Sequence, residues 1–199
     1  IQRLVGSEMC IRDRNKLLLK SPAKINLDLT ILNKLKNGYH EINTSFQLID
    51  LFDEIEFESS KNNISLSSNL KELNSDDNII TTVARKLQSS NSKLGVKIKL
   101  KKLIPIGAGL GGGSSNAAST IVALNKLWDL KMSKSEMHNF ARNIGADVPF
   151  FLFGQNAQGN GIGDILKYKD SITDNILIID PMIFSSTLSL IHISEPTRR

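Results

Sequence analysis

A run of five glycines within seven residues constrains this chain more than any other feature. The run lies within residues 105–117, which read PIGAGLGGGSSNA. Glycine has no Cβ, so it adopts positive φ readily and lets backbone N–H groups approach a ligand closely. Ser114, Ser115 and Asn116 come next, and these residue types cap the N-terminus of a helix. Because unpaired N–H groups and the positive dipole end converge at a helix N-terminus, the pattern predicts a site for nucleotide phosphates.

Three familiar glycine-rich loops differ from this one in the residues after the glycines. A P-loop ends in Gly-Lys-Ser/Thr, whereas Gly113 is followed directly by Ser114. The spacing from Gly107 matches the dinucleotide fingerprint, but residues 120–130 predict a helix where that fold needs a second strand ending in an acid. The protein-kinase loop also matches, yet the chain has neither His-Arg-Asp nor Asp-Phe-Gly after it. A flexible linker is the remaining alternative, and the strand-like residues before the loop argue against it.

Both ends of the chain differ in character from the rest. Residues 4–14 (LVGSEMCIRDR) and 188–198 (LSLIHISEPTR) resemble translations of a transposase sequencing adapter, one in each orientation. A targeting peptide is the alternative for the first segment, but that segment lacks a long apolar run and contains acidic residues. We therefore expect residues 1–14 and 188–199 to be adapter-derived and residues 15–187 to be a gene fragment.

Setting these ends aside changes what the composition implies. The single cysteine, Cys10, lies in the first segment, so disulfides and cysteine-ligated metals are excluded for the remainder. Each end carries a net charge of +1, so the +5 of the chain becomes +3. This modest lysine excess is no argument for a nucleic-acid partner, but it suits an anionic substrate. No run of 18 apolar residues exists, so we expect no membrane partner.

Hydrophobic periodicity predicts a mixture of strands and helices, the α+β class. Predicted strands cover residues 24–35, 42–57 with a break or bend at 50–53, 64–66, 95–100, 148–153 and 176–179. Predicted helices cover residues 79–87, 114–130 and 133–143. Asn37-Gly38 predicts a hairpin between the first two strands. Asp76-Asp77 precedes the first helix as its cap, and Ser133 with Glu136 predicts a capping box for the third.

Three segments together resemble the GHMP kinase superfamily. They are Ser21-Pro-Ala-Lys-Ile-Asn26, the glycine-rich stretch and Gly145-Ala-Asp-Val-Pro149, in the order that the family has them. Gly38-Tyr-His-Glu41 further resembles the cytidine-binding turn of the branch that acts on 4-diphosphocytidyl-2-C-methyl-D-erythritol. The resemblance covers nearly all of residues 17–187. It implies two α+β domains around a cleft: an N-terminal half at residues 15–155, similar to domain 2 of ribosomal protein S5, and a C-terminal domain that begins at 156–187 and is mostly missing.

The resemblance also implies an activity. Members of that branch transfer the γ-phosphoryl group of ATP to the 2-hydroxyl of their cytidine diphosphate substrate, with Mg²⁺, in non-mevalonate isoprenoid (terpenoid) biosynthesis. It implies a cytoplasmic protein in bacteria, or a plastid protein in a eukaryote, with a small-molecule substrate as partner and no nucleic acid or membrane. It implies nothing about the oligomeric state. With half of the cleft missing, we expect the 199-residue chain itself to be inactive.

The resemblance assigns roles to single residues. Asp147 matches the catalytic base, and Lys24 matches a lysine near the acceptor hydroxyl, where its ammonium would orient Asp147 and lower the pKa of that hydroxyl. Without the resemblance, Asp147 would be interpreted as a backbone cap and Lys24 as a solvated lysine. Asn26, Tyr39 and His40 would bind the substrate, with Tyr39 stacked on the cytosine and His40 bonded to its edge.

The implied ATP site extends beyond the glycines. The residues assigned to it are Pro105, Ile106, Gly107, Ala108, Gly109, Leu110, Gly111, Gly112, Gly113, Ser114, Ser115, Asn116, Lys102 and Asn78. Ala108 stands where relatives often have another glycine, which is tolerable only if its φ stays negative. Ser115 is a possible oxygen ligand of Mg²⁺. Asp50, Asp53 and Glu54 resemble a metal cluster, but we interpret them as a solvated turn.

Two alternatives stay open. The first is a different small-molecule kinase of the same superfamily, such as a mevalonate or homoserine kinase, for which Tyr39 and His40 would have no stacking role. The second is a non-catalytic nucleotide-binding protein or a dinucleotide enzyme. Such a protein has no need for a base beside a lysine, as Asp147 and Lys24 would be.

Overall fold

The computed structural model describes residues 10–13, 15–35, 38, 40–89, 92–170 and 175–179. Within these residues, seven strands form one mixed sheet that packs against α-helices, which confirms the predicted α+β class. The strands are β1 (Cys10–Asp13), β2 (Lys16–Lys34), β3 (His40–Lys61), β4 (Ile64–Ser68), β5 (Leu94–Lys101), β6 (Ala157–Asn160) and β7 (Ile165–Tyr168). The helices are α1 (Ile79–Gln88), α2 (Gly112–Leu127), α3 (Lys134–Arg142) and α4 (Val148–Phe153), and a 3₁₀ turn covers Lys71–Leu73.

The sheet runs in the order β1-β2-β3-β5-β4, and β6 and β7 extend it from the other end of β3. All pairs are antiparallel except β4 with β5. Parallel neighbours need a crossover connection, and α1 lies in the chain between these two strands. The glycine-rich segment comes directly after β5 and leads into α2.

Both strands of the β2–β3 hairpin extend beyond the residues predicted for them. In the added stretch of β2, alternate residues face the core, as do their partners in β3. Leu17 pairs with Phe57 and Leu19 pairs with Ile55, and all four side chains are buried. The antiparallel pairing reaches Lys34 and His40 at the far end, which confirms the predicted hairpin. Asn37 and Tyr39 lie outside the described residues.

We predicted a break or bend at residues 50–53: the break was wrong, because β3 continues through this stretch, but the strand has an irregularity there. Pro22 of β2 pairs with Phe52, and the next residue, Ala23, pairs with Ile49. Two residues of β3 therefore bulge out of register with β2. A bulge of this kind bends a strand and redirects side chains without ending the pairing.

Part of the N-terminal segment that we expected to be adapter-derived joins the sheet. The backbone of Cys10–Asp13 forms β1 and pairs antiparallel with β2, with Cys10 opposite Leu18. The other residues of that segment, and the expected adapter-derived residues 188–199, lie outside the described residues.

The predicted strand at residues 148–153 was wrong, because these residues form α4. A short apolar run fits a buried helix as well as a buried strand, and its flanks decide between them. Pro149 lies in the first helical turn, and Gly154 ends the helix with φ 70°. The predicted strand at residues 176–179 was also wrong, since these residues pair with no strand of the described chain.

The other helices were predicted correctly, but two of their caps were not. Asn78 caps α1 by accepting the Ile80 N–H at 2.9 Å, in place of Asp76-Asp77. Gly111 is the N-cap of α2, so Ser114, Ser115 and Asn116 lie inside its first turn. The capping box that opens α3 was confirmed. The predicted apolar face of α2, at Ala117, Ile121, Leu124 and Trp128, is buried in the core.

Candidate active site

The glycine-rich loop lines an open cavity of about 520 Å³ between β5, the start of α1 and the start of α2. Every residue assigned to the ATP site lines this cavity except Ser115. Gly107, Gly109 and Gly111 have φ of 75°, 73° and 70°, whereas Ala108 is not in the positive-φ region, as an alanine there requires. Within the loop, the left-handed backbone conformation therefore occurs at glycines alone.

Gly111 brings the loop into contact with Lys24 of β2 and Phe151 of α4. A Cβ on this residue would lie 2.8 Å from Cζ of Phe151 and 3.1 Å from Cε of Lys24. Only a glycine fits between these two side chains, and its φ of 70° is also one that glycine favours. The sixteen-residue helix α2 starts at the next residue, so its N–H groups and positive dipole end face the cavity.

Two polar atoms in the first turn of α2 are buried without a hydrogen-bond partner among the described residues. They are Oγ of Ser115 and Oδ1 of Asn116, and these residues are 0% and 3% exposed. A buried acceptor without a donor costs free energy, so these atoms are available to a ligand that reaches them. Asn116 lines the cavity, whereas Ser115, between two lining residues in sequence, does not.

Lys24 and Asp147 meet beside the loop. Lys24 Nζ lies 3.4 Å from Asp147 Oδ2, and it donates a hydrogen bond to Asn26 Oδ1 at 2.5 Å. The backbone N–H of Lys24 donates to the carbonyl of Leu110 at 2.9 Å, which ties β2 to the glycine-rich loop. Lys24 is only 6% exposed, so the alternative of a solvated lysine was wrong.

Asp147 is the residue that precedes α4, yet its side chain makes no capping hydrogen bond. The alternative interpretation as a backbone cap was therefore wrong. Its side chain is 33% exposed, so the carboxylate is accessible from solvent. Phe150 of α4 stacks on Phe46 at 4.6 Å, and Phe151 packs against Gly111, so the helix that carries Asp147 is fixed on both sides.

The residues assigned to substrate binding spread along the hairpin. Asn26 donates to Thr44 Oγ1 at 2.8 Å, which holds its oxygen towards Lys24. His40 lies eight residues along β3 from Leu48, the strand partner of Lys24. That length of strand is at most about 26 Å, and His40 lies near the turn end of the hairpin, away from Lys24. Tyr39 lies outside the described residues.

Close to Asn26, Asp28 forms a second polar contact between β2 and β3. Its carboxylate accepts the hydroxyl of Ser45 at 2.6 Å and the backbone N–H of Ser45 at 2.7 Å. These hydrogen bonds, the hydroxyl's first, hold the pKa of Asp28 below its ordinary value. Lys169 donates to the same hydroxyl at 2.6 Å, so the segment after β7 is tied to this end of the sheet.

The interpretation of Asp50, Asp53 and Glu54 as a solvated turn was wrong for Asp53. It is 0% exposed, and its Oδ2 lies 2.9 Å from Nζ of Lys102. Glu54, the next residue, forms a more exposed pair with Lys101 at 3.2 Å. Within the described chain, no group of three or more His, Cys, Asp or Glu side chains is placed to hold a metal.

The strand alternation in the sequence could have predicted that Asp53 is buried. Asp53 shares the strand alternation of Ile55 and Phe57, both of which face the core. Burial lowers the pKa of Lys102, and the hydrogen bond and charge of Asp53 oppose that shift. The pair therefore places a buried lysine and its carboxylate partner beside the cavity that Lys102 lines.

No helix among the described residues has both the length and the apolar character that crossing a membrane requires.

Comparison with known proteins identifies relatives over most of the chain. The GHMP kinases N terminal domain family matches residues 78–155. The 4-diphosphocytidyl-2-C-methyl-D-erythritol kinase of Prochlorococcus marinus (strain MIT 9515) is 49% identical over 178 residues, which are 86% of this chain and 57% of that relative. The enzyme of the same name from Acinetobacter baumannii (strain ATCC 17978) is 41% identical over 179 residues, 89% of this chain and 65% of that relative.

A solved structure of an enzyme of the same kind is also similar to this chain. The crystal structure of a 4-(cytidine 5'-diphospho)-2C-methyl-D-erythritol kinase matches with a TM-score of 0.67 and 35% sequence identity. The match covers 76% of this chain and 55% of that one. The chain thus spans 57% to 65% of the length of the two curated relatives above.

Proposed function

The chain belongs to the GHMP kinase superfamily, and on that premise we propose that the protein transfers the γ-phosphoryl group of ATP to the 2-hydroxyl of 4-diphosphocytidyl-2-C-methyl-D-erythritol. One observation carries the proposal: the Lys24–Asp147 pair, 3.4 Å apart, is attached to the glycine-rich loop through the Lys24 N–H and the Leu110 carbonyl. A base and a cation thus lie next to the place proposed for the phosphates. The names of the relatives at 41% to 49% identity support the substrate.

In this proposal, the glycine-rich loop and the start of α2 hold the ATP phosphates. The cavity is lined by loop backbone, by the first turn of α2 and by Lys102. Phosphoryl transfer needs in-line positioning and neutralisation of charge rather than covalent chemistry from the protein. Backbone N–H groups, a helix N-terminus and a lysine supply both.

Asp147 and Lys24 act on the acceptor. Asp147 accepts the proton of the 2-hydroxyl as the new O–P bond forms and the bond between Pγ and the oxygen of ADP breaks. The Lys24 ammonium, at hydrogen-bond distance from Asn26, orients the carboxylate and offsets negative charge on the acceptor oxygen. Asn26, Tyr39 and His40 bind the rest of the substrate along the β2–β3 hairpin.

Mg²⁺ fits this site as a companion of ATP rather than as a resident ion. The described residues hold no carboxylate cluster for it, but Oγ of Ser115 is buried beside the cavity without a partner. When bound, the metal would neutralise charge on the β- and γ-phosphates. We assign Ser115 as the protein oxygen that approaches it.

The test is ADP release by the full-length protein with ATP, Mg²⁺ and the diphosphocytidyl methylerythritol. Mevalonate and homoserine serve as alternative acceptors. We expect turnover with the cytidine substrate alone, and a loss of about 10² or more in Asp147→Asn, since a positioned base contributes on that order. Asp129→Asn is the matched control, because Asp129 is an exposed aspartate that pairs with Lys131 at the surface.

Each other outcome has a meaning. Turnover with mevalonate or homoserine would reject the substrate and leave a different kinase of the superfamily. Undiminished turnover in Asp147→Asn would reject the base. ATP binding without transfer to any acceptor would favour a non-catalytic nucleotide-binding protein.

A further inference from the structure

We propose that Asp53 is a positioning residue for nucleotide binding: its buried carboxylate holds the Lys102 ammonium and the backbone that enters the glycine-rich loop. The inference rests on the proposed function, because the bound nucleotide is the ATP of that reaction. Asp53 itself lines no part of the cavity and acts through Lys102, which does.

The position of Asp53 in the sheet explains why a carboxylate is needed there. The ladder between β3 and β5 ends at the pair of Glu54 and Lys101. Beyond it, the N–H groups of Leu103 and Ile104 have left the sheet, and Asp53 Oδ1 accepts them at 2.7 and 2.8 Å. Buried N–H groups without an acceptor are costly, so this carboxylate fixes the path of the chain just before the loop.

The same carboxylate holds Lys102 in place. Its Oδ2 lies 2.9 Å from Lys102 Nζ, and Lys102 is 8% exposed. The ammonium also donates to the carbonyl of Ile104. A Cβ on Gly112 would lie 2.9 Å from Lys102 Nζ, so the ammonium occupies the space beside the first residue of α2.

This geometry has an electrostatic consequence. The N-terminus of a helix is where a phosphate is favoured, and the ammonium lies beside it. Burial disfavours the charged form of a lysine, whereas a carboxylate in contact favours it. Asp53 therefore keeps a cation at the phosphate site that burial alone would tend to neutralise.

A bulge in β3 lies immediately before the stretch that contains Asp53. Two residues, Asp50 and Leu51, bulge out of register with β2 immediately before Phe52 and Asp53. Bulges of this kind redirect side chains and occur beside active sites. After the bulge, Asp53 faces Lys102 in the interior, and Glu54 faces the more exposed Lys101.

The experiment measures ATP affinity of the full-length protein by calorimetry, together with the KM values for ATP and for the cytidine substrate. In Asp53→Asn we expect ATP binding to weaken about tenfold or more, because the Lys102 ammonium loses the carboxylate that holds it in place and favours its charged form. The KM of the cytidine substrate should stay unchanged. Glu54→Gln is the matched control, since it neutralises the adjacent carboxylate of a more exposed pair, and we expect it to leave ATP affinity unchanged.

A double-mutant cycle separates positioning from general stability. If Asp53 acts through Lys102, then adding Asp53→Asn to Lys102→Met produces no further loss of ATP affinity. Additive losses would overturn the proposal. Asp53→Glu, which restores the charge, should recover part of the affinity, and recovery of none would also count against it.

The double-mutant cycle remains informative even if Asp53→Asn alone fails to fold. The double variant leaves no unpaired buried charge, so we expect it to fold where Asp53→Asn does not. If it binds ATP as tightly as the wild type, the proposal is overturned. Wild-type protein that binds no ATP would overturn both this inference and the proposed function. Wild-type protein that binds ATP while Asp53→Asn binds it equally well would overturn this inference alone.

Discussion

Single residues set the geometry of this site, and Gly111 shows it best. Its φ of 70° lies in the left-handed region, and a Cβ would lie 2.8 Å from the Phe151 ring. The two constraints are independent, one from the local backbone and one from a helix forty residues away in sequence. Gly111 is thereby the point where the loop, β2 and α4 come into contact.

We predict an order of destabilisation for three alanine substitutions, two in the loop and one, Gly113→Ala, at the start of α2. Gly113→Ala should be neutral or stabilising, since its φ is not positive and a Cβ meets nothing within 4 Å. Gly109→Ala should cost about 1–2 kcal/mol, because its φ is 73° although the space is open. Gly111→Ala should cost more, since strain and the contact with Phe151 add. Urea unfolding measures all three, and equal costs at Gly109 and Gly111 would contradict the contact.

At the scale of elements, α4 is where the chain departs most from its sequence pattern. Six residues, VPFFLF, are apolar throughout and give no periodicity to separate helix from strand. Burial of Phe150 and Phe151 on the core settles the conformation, and the proline and glycine at its ends match a helix. The consequence for function is that Asp147 lies at the start of a fixed helix.

We expect Phe150→Ala to destabilise the protein by about 3–5 kcal/mol, since a fully buried aromatic ring leaves a cavity. The stacking with Phe46 is lost as well. Phe153→Ala, in the same helix at a half-buried position, should cost clearly less. Chemical denaturation of both variants tests this, and comparable losses would contradict the packing at Phe150.

The capping box of α3 gives a prediction about pH. Hydrogen bonds from the Ser133 hydroxyl first, and then from its backbone N–H, lower the pKa of Glu136. Because the folded pKa is depressed, this contribution to stability is present above the unfolded value, about 4.3, and is lost as pH falls through the folded pKa. Ser133→Ala should raise the pKa of Glu136.

Carboxyl titration by nuclear magnetic resonance, with unfolding measured across the same pH range, checks this prediction. The stability difference between the wild type and Ser133→Ala should shrink as the solution is acidified. Ser135→Ala, an exposed serine in the same turn, is the control and should leave the titration of Glu136 unchanged. An unaltered pKa in Ser133→Ala would contradict the capping box.

At the scale of the whole molecule, a main core joins the sheet to α1, α2, α3 and α4. Trp128, the single tryptophan of the chain, packs into this core at the end of α2 and donates its indole N–H to the carbonyl of Gly95 at 3.1 Å. It therefore reports on the contact between the last turn of α2 and the start of β5.

We predict that unfolding followed by Trp128 fluorescence and by far-ultraviolet circular dichroism gives coincident transitions in the 199-residue chain. The main core contains residues of the sheet and of all four helices, which favours one cooperative unit. Trp128→Phe should lower the denaturant midpoint, because it removes the hydrogen bond to Gly95 and part of the packing. Separate transitions would show that the β2–β3 hairpin unfolds independently of the helices.

The sequence by itself determined the features that depend on neighbouring residues. The period of two predicted a strand at residues 24–35, and Asn37-Gly38 predicted the hairpin that joins β2 to β3. The apolar face of α2 predicted its burial, and Ser133 with Glu136 predicted the start of α3. The glycines predicted a loop that lines a cavity at a helix N-terminus. These patterns work because helices, turns and caps are set by contacts within a few residues.

Only the tertiary structure decided which polar groups are buried and what they face. Asp53 looked like part of a solvated turn until it was placed against Lys102, 49 residues away. Ser115 looked like a cap until α2 was seen to begin at Gly112, and residues 148–153 became a helix only through burial against the core. The reason is physical: the cost of burying a charge or a hydroxyl depends on partners that folding brings from distant parts of the chain.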